Sequence, residues 1–137
     1  MSTAGIELGD SVRKFLDGAQ LAVLVTLNPD GSPQSSPVWI GREGDDLVIS
    51  SQAGRRKVRN IQRDPRVSVT VIDPADHECY AEVRGTAAVT EDEGRALAVL
   101  LAEKYEGEGA GQEYLDLPAE DVRTVIRVTP QKVLGSA

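Results

Sequence analysis

The chain has 137 residues, 40% of them hydrophobic and 27% charged, an ordinary balance for one globular domain with a real core. Its formal charge of -7 and sequence pI near 4.7 oppose broad electrostatic attachment to nucleic acid or anionic lipid. A single cysteine, Cys79, excludes an internal disulfide, and a single histidine, His77, leaves no His/Cys cluster of metal-ligand spacing.

The N-terminal "MSTAGIELGD" lacks the basic start and apolar stretch of a signal peptide, and the longest apolar runs, such as "LAVLVTL" (21–27), are too short to cross a bilayer. A cytoplasmic protein is expected. Asp10 is expected to cap a short helix over "SVRKFLD", ended by Gly18. The β-branched run 20–27 reads as a strand, "NPDG" (28–31) as a turn, and "SPQSSPVWIG" (32–41) as a returning strand whose prolines place it at a sheet edge or bulge. "EGDD" (43–46) makes the next turn and "LVIS" (47–50) a third strand.

Gly54 then opens a segment that contrasts with the rest of the acidic chain. Arg55, Arg56, Lys57, Arg59, Arg63 and Arg66 are six of the 15 basic residues, placed within positions 55–66. Asp64-Pro65 stops the segment, so a helix of about two to three turns is predicted between. Cations at a helix start that follows a strand and a glycine turn suit a phosphate group, with Arg55 as a forked donor and Lys57 as a compact charge. Solvated surface charge is the other reading, and composition alone does not separate the two.

Residues 66–73, "RVSVTVID", alternate as a strand; 73–78 form a loop; 79–90, "CYAEVRGTAAVT", form a long strand with Gly85 at a bulge. Thr90 and Glu93 have capping-box spacing for a helix through "EDEGRALAVLLAEKYEG", with Leu97, Leu100, Leu101 and Tyr105 on one face. Glu91, Asp92 and Glu93 then fit the positive end of the helix dipole without catalysis. "GEGAGQ" (107–112) follows a helix and lacks Lys-Ser/Thr, so it reads as a connection and not a phosphate loop. "VRTVIRVTP" and "KVLG" supply the last strands. About six mostly antiparallel strands with short helices predict a mainly β (α+β) fold, a small closed or split β-barrel.

The catalytic inventory is sparse: no Gly-x-Ser-x-Gly elbow, no His-Glu-x-x-His and no Walker loop. An enzyme of this composition would rely on a cofactor. With one Trp, one Phe and three Tyr, the chain is also poor in the stacking platforms of nucleic-acid binders.

The order "LAVLVTLNPDGSPQSSPVWI", "ISSQAGRRKVRNIQRDPRVSVTV", "YAEVRGTAAV", "VIRVTPQKVLG" resembles the split-barrel flavin and deazaflavin oxidoreductases related to pyridoxamine 5'-phosphate oxidase. It is more narrowly similar to their actinobacterial branch that uses coenzyme F420. The resemblance spans residues 10–135 and rests most on "GRRKVRNIQRDPRV" followed by "EVRG". It implies an FMN-binding type split barrel, a homodimer with cofactor sites at the interface, and a small-molecule substrate, with neither nucleic acid nor membrane as partner. On that resemblance Arg55 and Lys57, aided by Arg56 and Asn60, hold the cofactor phosphate. Ser50, Ser51 and Gln52 reach the ribityl chain or ring, and "SSPVW" (35–39), with Ser36, Pro37 and Val38, lines the ring. Tyr80, Glu82 and Arg84 of the partner subunit close the cleft. Where related sequences often carry an aromatic-basic-aromatic run before "EVRG", this chain reads "HECYAEVRG".

The activity so implied is hydride transfer from reduced F420 to a small organic acceptor, with a proton from solvent or Tyr80. FMN in the same fold, or a non-catalytic F420 carrier, are the alternatives.

Overall fold

The structure, a computed structural model, describes residues 5–137; the first four residues of the N-terminal segment read above lie outside the described residues. Helix α1 (Asp10–Asp17) leads into β1 (Leu21–Leu27), β2 (Pro33–Val38), β3 (Gly41–Glu43) and β4 (Asp46–Gln52). Helix α2 (Arg56–Arg63), β5 (Arg66–Ile72) and β6 (Tyr80–Glu91) follow. A 3-10 turn (Glu93–Arg95), α3 (Ala96–Glu106), the one-turn α4 (Gln112–Leu115) and β7 (Arg123–Gly135) complete the chain.

The strands form one antiparallel sheet of seven, in the order β2-β1-β5-β6-β7-β4-β3. Its two edges, β2 and β3, are consecutive in sequence and separated only by Trp39 and Ile40. Three virtual Cα bonds span at most about 11 Å, so the sheet must curl until its edges approach one another. That makes a split barrel in an α+β chain. Alternation along β1, β4, β5 and β7 sends Leu24, Ile49, Val69, Val71, Ile126 and Val128 into a common interior where each is fully buried.

Local rules place most elements, and the structure departs from them in four places. Gly9, not Asp10, is the N-cap of α1; Asp10 instead pairs with Arg13 in the first turn at 2.9 Å. Arg13 also grips Asp45 of the β3–β4 turn, which fastens α1 to that hairpin and holds the Asp45 carboxyl below its usual range. Thr90 does not cap α3, because β6 continues through it and pairs Thr90 with Val125. The N-cap position of α3 is Arg95, whose side chain makes no cap bond; the side-chain cap comes from Asp92 at the start of the 3-10 turn, whose two carboxylate oxygens accept from the amides of Leu97 and Ala98, each at 3.0 Å.

The bulge near Gly85 lies on the other strand. Arg84 pairs with Lys132 and Gly85 with Pro130, so Gln131 is the extra residue, and the two terminal strands expected at 122–135 are one strand bent there. Gly85 faces the bulge, and a Cβ added to it would lie 2.0 Å from the Thr129 carbonyl oxygen. Leu100 is 57% exposed. The inward stripe of α3 is Leu97, Ala98, Leu101, Ala102 and Tyr105, and Leu100 projects roughly 130° around the helix from its centre.

The Asp92 cap yields the first expected result. Asp92→Ala should lower stability by about 1 kcal/mol, the usual cost of losing a side-chain cap, and Asp92→Asn by less. Urea unfolding checks this, and equal stability of all three proteins would remove the cap from the account of α3.

Candidate functional site

Three elements converge where the basic segment begins. Strand β4 delivers Ser50, Ser51 and Gln52, the glycine turn at Gly54 (φ 84°) reverses the chain, and α2 starts with Arg55 as its N-cap. The cleft they border has a volume of about 840 Å³ and is lined also by Leu21, Val23, Pro37, Val38, Trp39 and Arg123. Helix α3 forms one wall with Ala98, Leu101 and Tyr105. Ala98 lies by Asp92, whose amide bonds to the Arg123 carbonyl, while the Tyr105 hydroxyl donates to the Gln20 carbonyl at 2.8 Å. Seven residues of helix separate these two by about 10 Å, which gives the cleft a cationic end and an aromatic end.

At the cationic end stand Arg55, Lys57 and Arg123. Lys57 is half-buried, and its ammonium is pushed below the usual lysine range by desolvation first, then by Arg55 and Arg123. Burial likewise pushes the Arg123 guanidinium down. Arg123 donates through Nη2 to the Ser50 hydroxyl at 2.9 Å, lies 5.1 Å beneath the Tyr114 ring, and leaves its buried Nε without a partner. Among the described residues, no aspartate or glutamate lines the cleft, and none forms an ion pair with these three cations. Three like charges crowded together with no carboxylate in the cleft, and only Asp92 behind Arg123 to offset them, are arranged for an anion.

At the aromatic end, Trp39 and Tyr105 stack with centroids 5.4 Å apart and planes 9° from parallel. The Tyr105 hydroxyl accepts from the Ile40 amide at 3.3 Å, and burial pushes its pKa up. Lys104 below it is tied to the carbonyls of Leu16 and Ile40 and lowered by burial, so it is a strut rather than a free base.

Of the residues expected to touch a cofactor, Pro37, Val38, Ser50, Ser51, Gln52, Arg55 and Lys57 line this cleft. Asn60 does not. It is fully buried, and its amide donates to Thr26 Oγ1 and Asn28 Oδ1, pinning α2 to the β1–β2 turn. Arg56 is exposed, one helical step of about 100° away from Lys57, and also outside the cleft. Ser36 is outside it too, with a buried hydroxyl that has no hydrogen-bond partner. Tyr80, 40% exposed, lies outside the cleft of its own chain, beside Ile72, which lines it. Glu82 and Arg84 pair with each other at 2.9 Å on the same face of β6.

Arg123 and Tyr114 also line the cleft, and no motif in the sequence marks them. Arg123 reaches the cleft only because β7 pairs with β4, opposite Gln52. The signal it leaves in sequence is an arginine at the start of the alternating "RTVIRV", on the face opposite Thr124, Ile126 and Val128. His77 lies in the exposed loop before β6, away from the cleft, and no three His, Cys, Asp or Glu among the described residues are placed to hold a metal.

The sequence profile of the pyridoxamine 5'-phosphate oxidase family matches residues 8–137. The chain belongs to that family. Its fold is also that of an F420 reductase, at 30% identity and a TM-score of 0.78 over 93% of this chain and 98% of the other. A conserved hypothetical protein of Mycobacterium tuberculosis aligns at 23% identity and TM-score 0.73, covering 97% and 87% of the two chains. The heme storage protein HutZ of Vibrio cholerae shares the fold at 17% identity and TM-score 0.68 over 95% of each chain. This chain is therefore a member of an oxidoreductase family whose fold also serves other ligands. No helix among the described residues is long and apolar enough to cross a membrane.

Proposed function

We propose that this protein is a coenzyme F420-dependent oxidoreductase that passes a hydride from the reduced deazaflavin to a small organic acceptor. The observation that carries the reading is the group Arg55, Lys57 and Arg123, joined by Ser50 and Ser51, in a cleft whose lining holds no carboxylate. Desolvation first, then repulsion from Arg55 and Arg123, lowers Lys57, and a phosphate there would offset the repulsion. Leu21, Val23, Pro37 and Val38 give the adjoining apolar wall that a flat ring needs. The residues present fit the cofactor.

When bound, the deazaflavin supplies the hydride. The rest is binding and orientation by this chain. Arg55, Lys57 and Arg123 hold the phosphate, while Ser50, Ser51 and Gln52 meet the ribityl hydroxyls. Strand β2 is a sheet edge, so the amides its ladder leaves free face outward and serve as donors to the ring carbonyls. The Trp39–Tyr105 stack offers the acceptor a flat surface and excludes water from that end. FMN would use the same phosphate cations. What favours F420 is the pair Arg56 and Arg59, exposed just beyond them and suited to an acidic tail. Quenching of F420 fluorescence by the protein, followed by oxidation of reduced F420 with a panel of acceptors, tests the reading. Quenching without turnover of any acceptor would make the protein a carrier, and no quenching would end the proposal.

The site also calls for a second copy of the chain. Leu21, Ile72 and Tyr80 stand in register across β1, β5 and β6, and Leu21 (53% exposed) and Ile72 belong to the cleft rim as well. This apolar face would be covered in a two-fold homodimer, with Tyr80 of the partner subunit closing the cleft. Sedimentation at micromolar concentration should give twice the chain mass of 14.7 kDa. A monomer across that range would remove the two-chain site.

A further inference from the structure

Between α3 and β7 the chain makes an irregular excursion, and one side chain runs through it. Arg95 has φ 57°, the only non-glycine residue of positive φ among the described residues, directly after Gly94 at φ 65°. A glycine would make this turn without strain. The arginine adds a guanidinium that donates only to backbone. Its Nη1 reaches the carbonyls of Tyr114 (2.9 Å), Leu115 (3.3 Å) and Leu117 (2.7 Å), and its Nη2 those of Pro118 (2.6 Å) and Asp121 (3.2 Å). Five carbonyls from eight residues therefore converge on one cation.

The first of those residues, Tyr114, is the one whose ring covers Arg123 in the cleft. Arg123 in turn is held by one further side-chain bond, to Ser50. Its Nε has no partner, and burial already disfavours its charge. An arginine so lightly anchored keeps its place only while the ring stays over it.

We propose that Arg95 is a positioning residue for the cationic end of the cleft: it fastens segment 114–121, which keeps Tyr114 on Arg123 and Arg123 beside Ser50, Arg55 and Lys57. Arg95 is absent from the cleft lining and lies instead in the smaller hollow on the other side of Arg123. The inference rests on the reading of the cleft as the site of a phosphate-bearing cofactor.

The test compares F420 with its phosphate-free deazariboflavin core, using wild type, Arg95→Ala, Tyr114→Leu and the double variant. Each single change should weaken F420 by about fivefold or more, and the double by little more than the larger single loss, since both break one chain of contacts. The phosphate-free core should change by less than about twofold. A merely structural role predicts parallel losses for both ligands, and that result, or additive losses, overturns the proposal. Arg95→Lys keeps the charge but not the planar fork, and if Arg95→Ala does not fold, it must show the same selective loss. Should wild type bind neither flavin, inorganic pyrophosphate becomes the probe: a loss of about fivefold in Arg95→Ala supports the clamp. Equal binding, or none by wild type, overturns it.

Discussion

Arg55→Ala, Lys57→Ala and Arg123→Ala should each weaken F420 binding by ~1.5 to 3 kcal/mol, roughly ten- to a hundredfold, the range for hydrogen bonds to a charged group. Little loss of fold is expected, because among the described residues none of the three forms an ion pair that its removal would break. Arg123→Ala should lie at the upper end, since it also frees Ser50 and leaves the Tyr114 ring without its cation. Arg66 is the control. It belongs to the same basic segment, but it is spent on Asp64 at 2.7 Å and is absent from the cleft lining, so Arg66→Ala should change affinity by no more than a few tenths of a kcal/mol. Isothermal titration of the four variants decides it: equal losses at all four would mean diffuse attraction and would remove the specific site.

The same cluster sets a pH dependence. Lys57 is lowered in the free protein by burial and by its two cationic neighbours, and a bound phosphate would raise it again. Binding then takes up protons at pH values near the depressed pKa, and affinity falls as pH rises through it, below the ordinary lysine value of 10.5. Lys57→Ala should flatten that fall. A profile of the same shape in wild type and variant would assign the titration to another group.

How far the sequence led can be seen at particular residues. Strand β5 is legible because one face is buried, so the period-two pattern is written directly in "RVSVTVI", whereas "LAVLVTL" and "LVIS" are legible as short apolar, β-branched runs, β4 being buried on both faces at Leu47, Val48 and Ile49. The capping box at Thr90 misled because a local motif competes with a strand ladder, and eleven paired residues along β6 and β7 win. The basic segment was legible as a cluster but not as a site. Helical geometry alone turns Lys57 inward and Arg56 outward, and the buried bonds of Asn60 to Thr26 and Asn28 depend on where β1 ends. Arg123 lies more than sixty residues from Lys57 in the chain, and only the β4–β7 pairing joins them. A search for clusters along the chain finds charges that are neighbours in sequence, whereas the sheet chooses which of them become neighbours in space.

The choice of cofactor is where that geometry makes its sharpest demand. F420 carries a lactyl-glutamyl tail beyond its phosphate, so a protein suited to it needs positive charge past the phosphate site as well as at it. Arg55, Lys57 and Arg123 already exceed the two or so partners a phosphomonoester uses. Arg56 and Arg59 are left over on the exposed face of α2, with no carboxylate among the described residues paired to either. On the other side of Arg123, a smaller hollow of about 400 Å³ is lined by Glu91, Asp92 and Asp121 as well as Arg95 and Arg123, a mixed surface, whereas α2 offers the tail cations alone. Binding of F420 at least about tenfold tighter than FMN is therefore expected, a difference of ~1.4 kcal/mol. Because the tail contacts are exposed, rising salt should narrow the gap while the phosphate contacts, partly buried beside Lys57, persist. Replacing Arg56 and Arg59 together by serine should narrow it in the same way at low salt, leaving FMN affinity nearly unchanged. Titrations of both cofactors at low and high ionic strength measure the gap. FMN bound as tightly as F420, or a protein that purifies yellow with FMN, would transfer the site to a flavin oxidoreductase, with the same cations holding a shorter ligand.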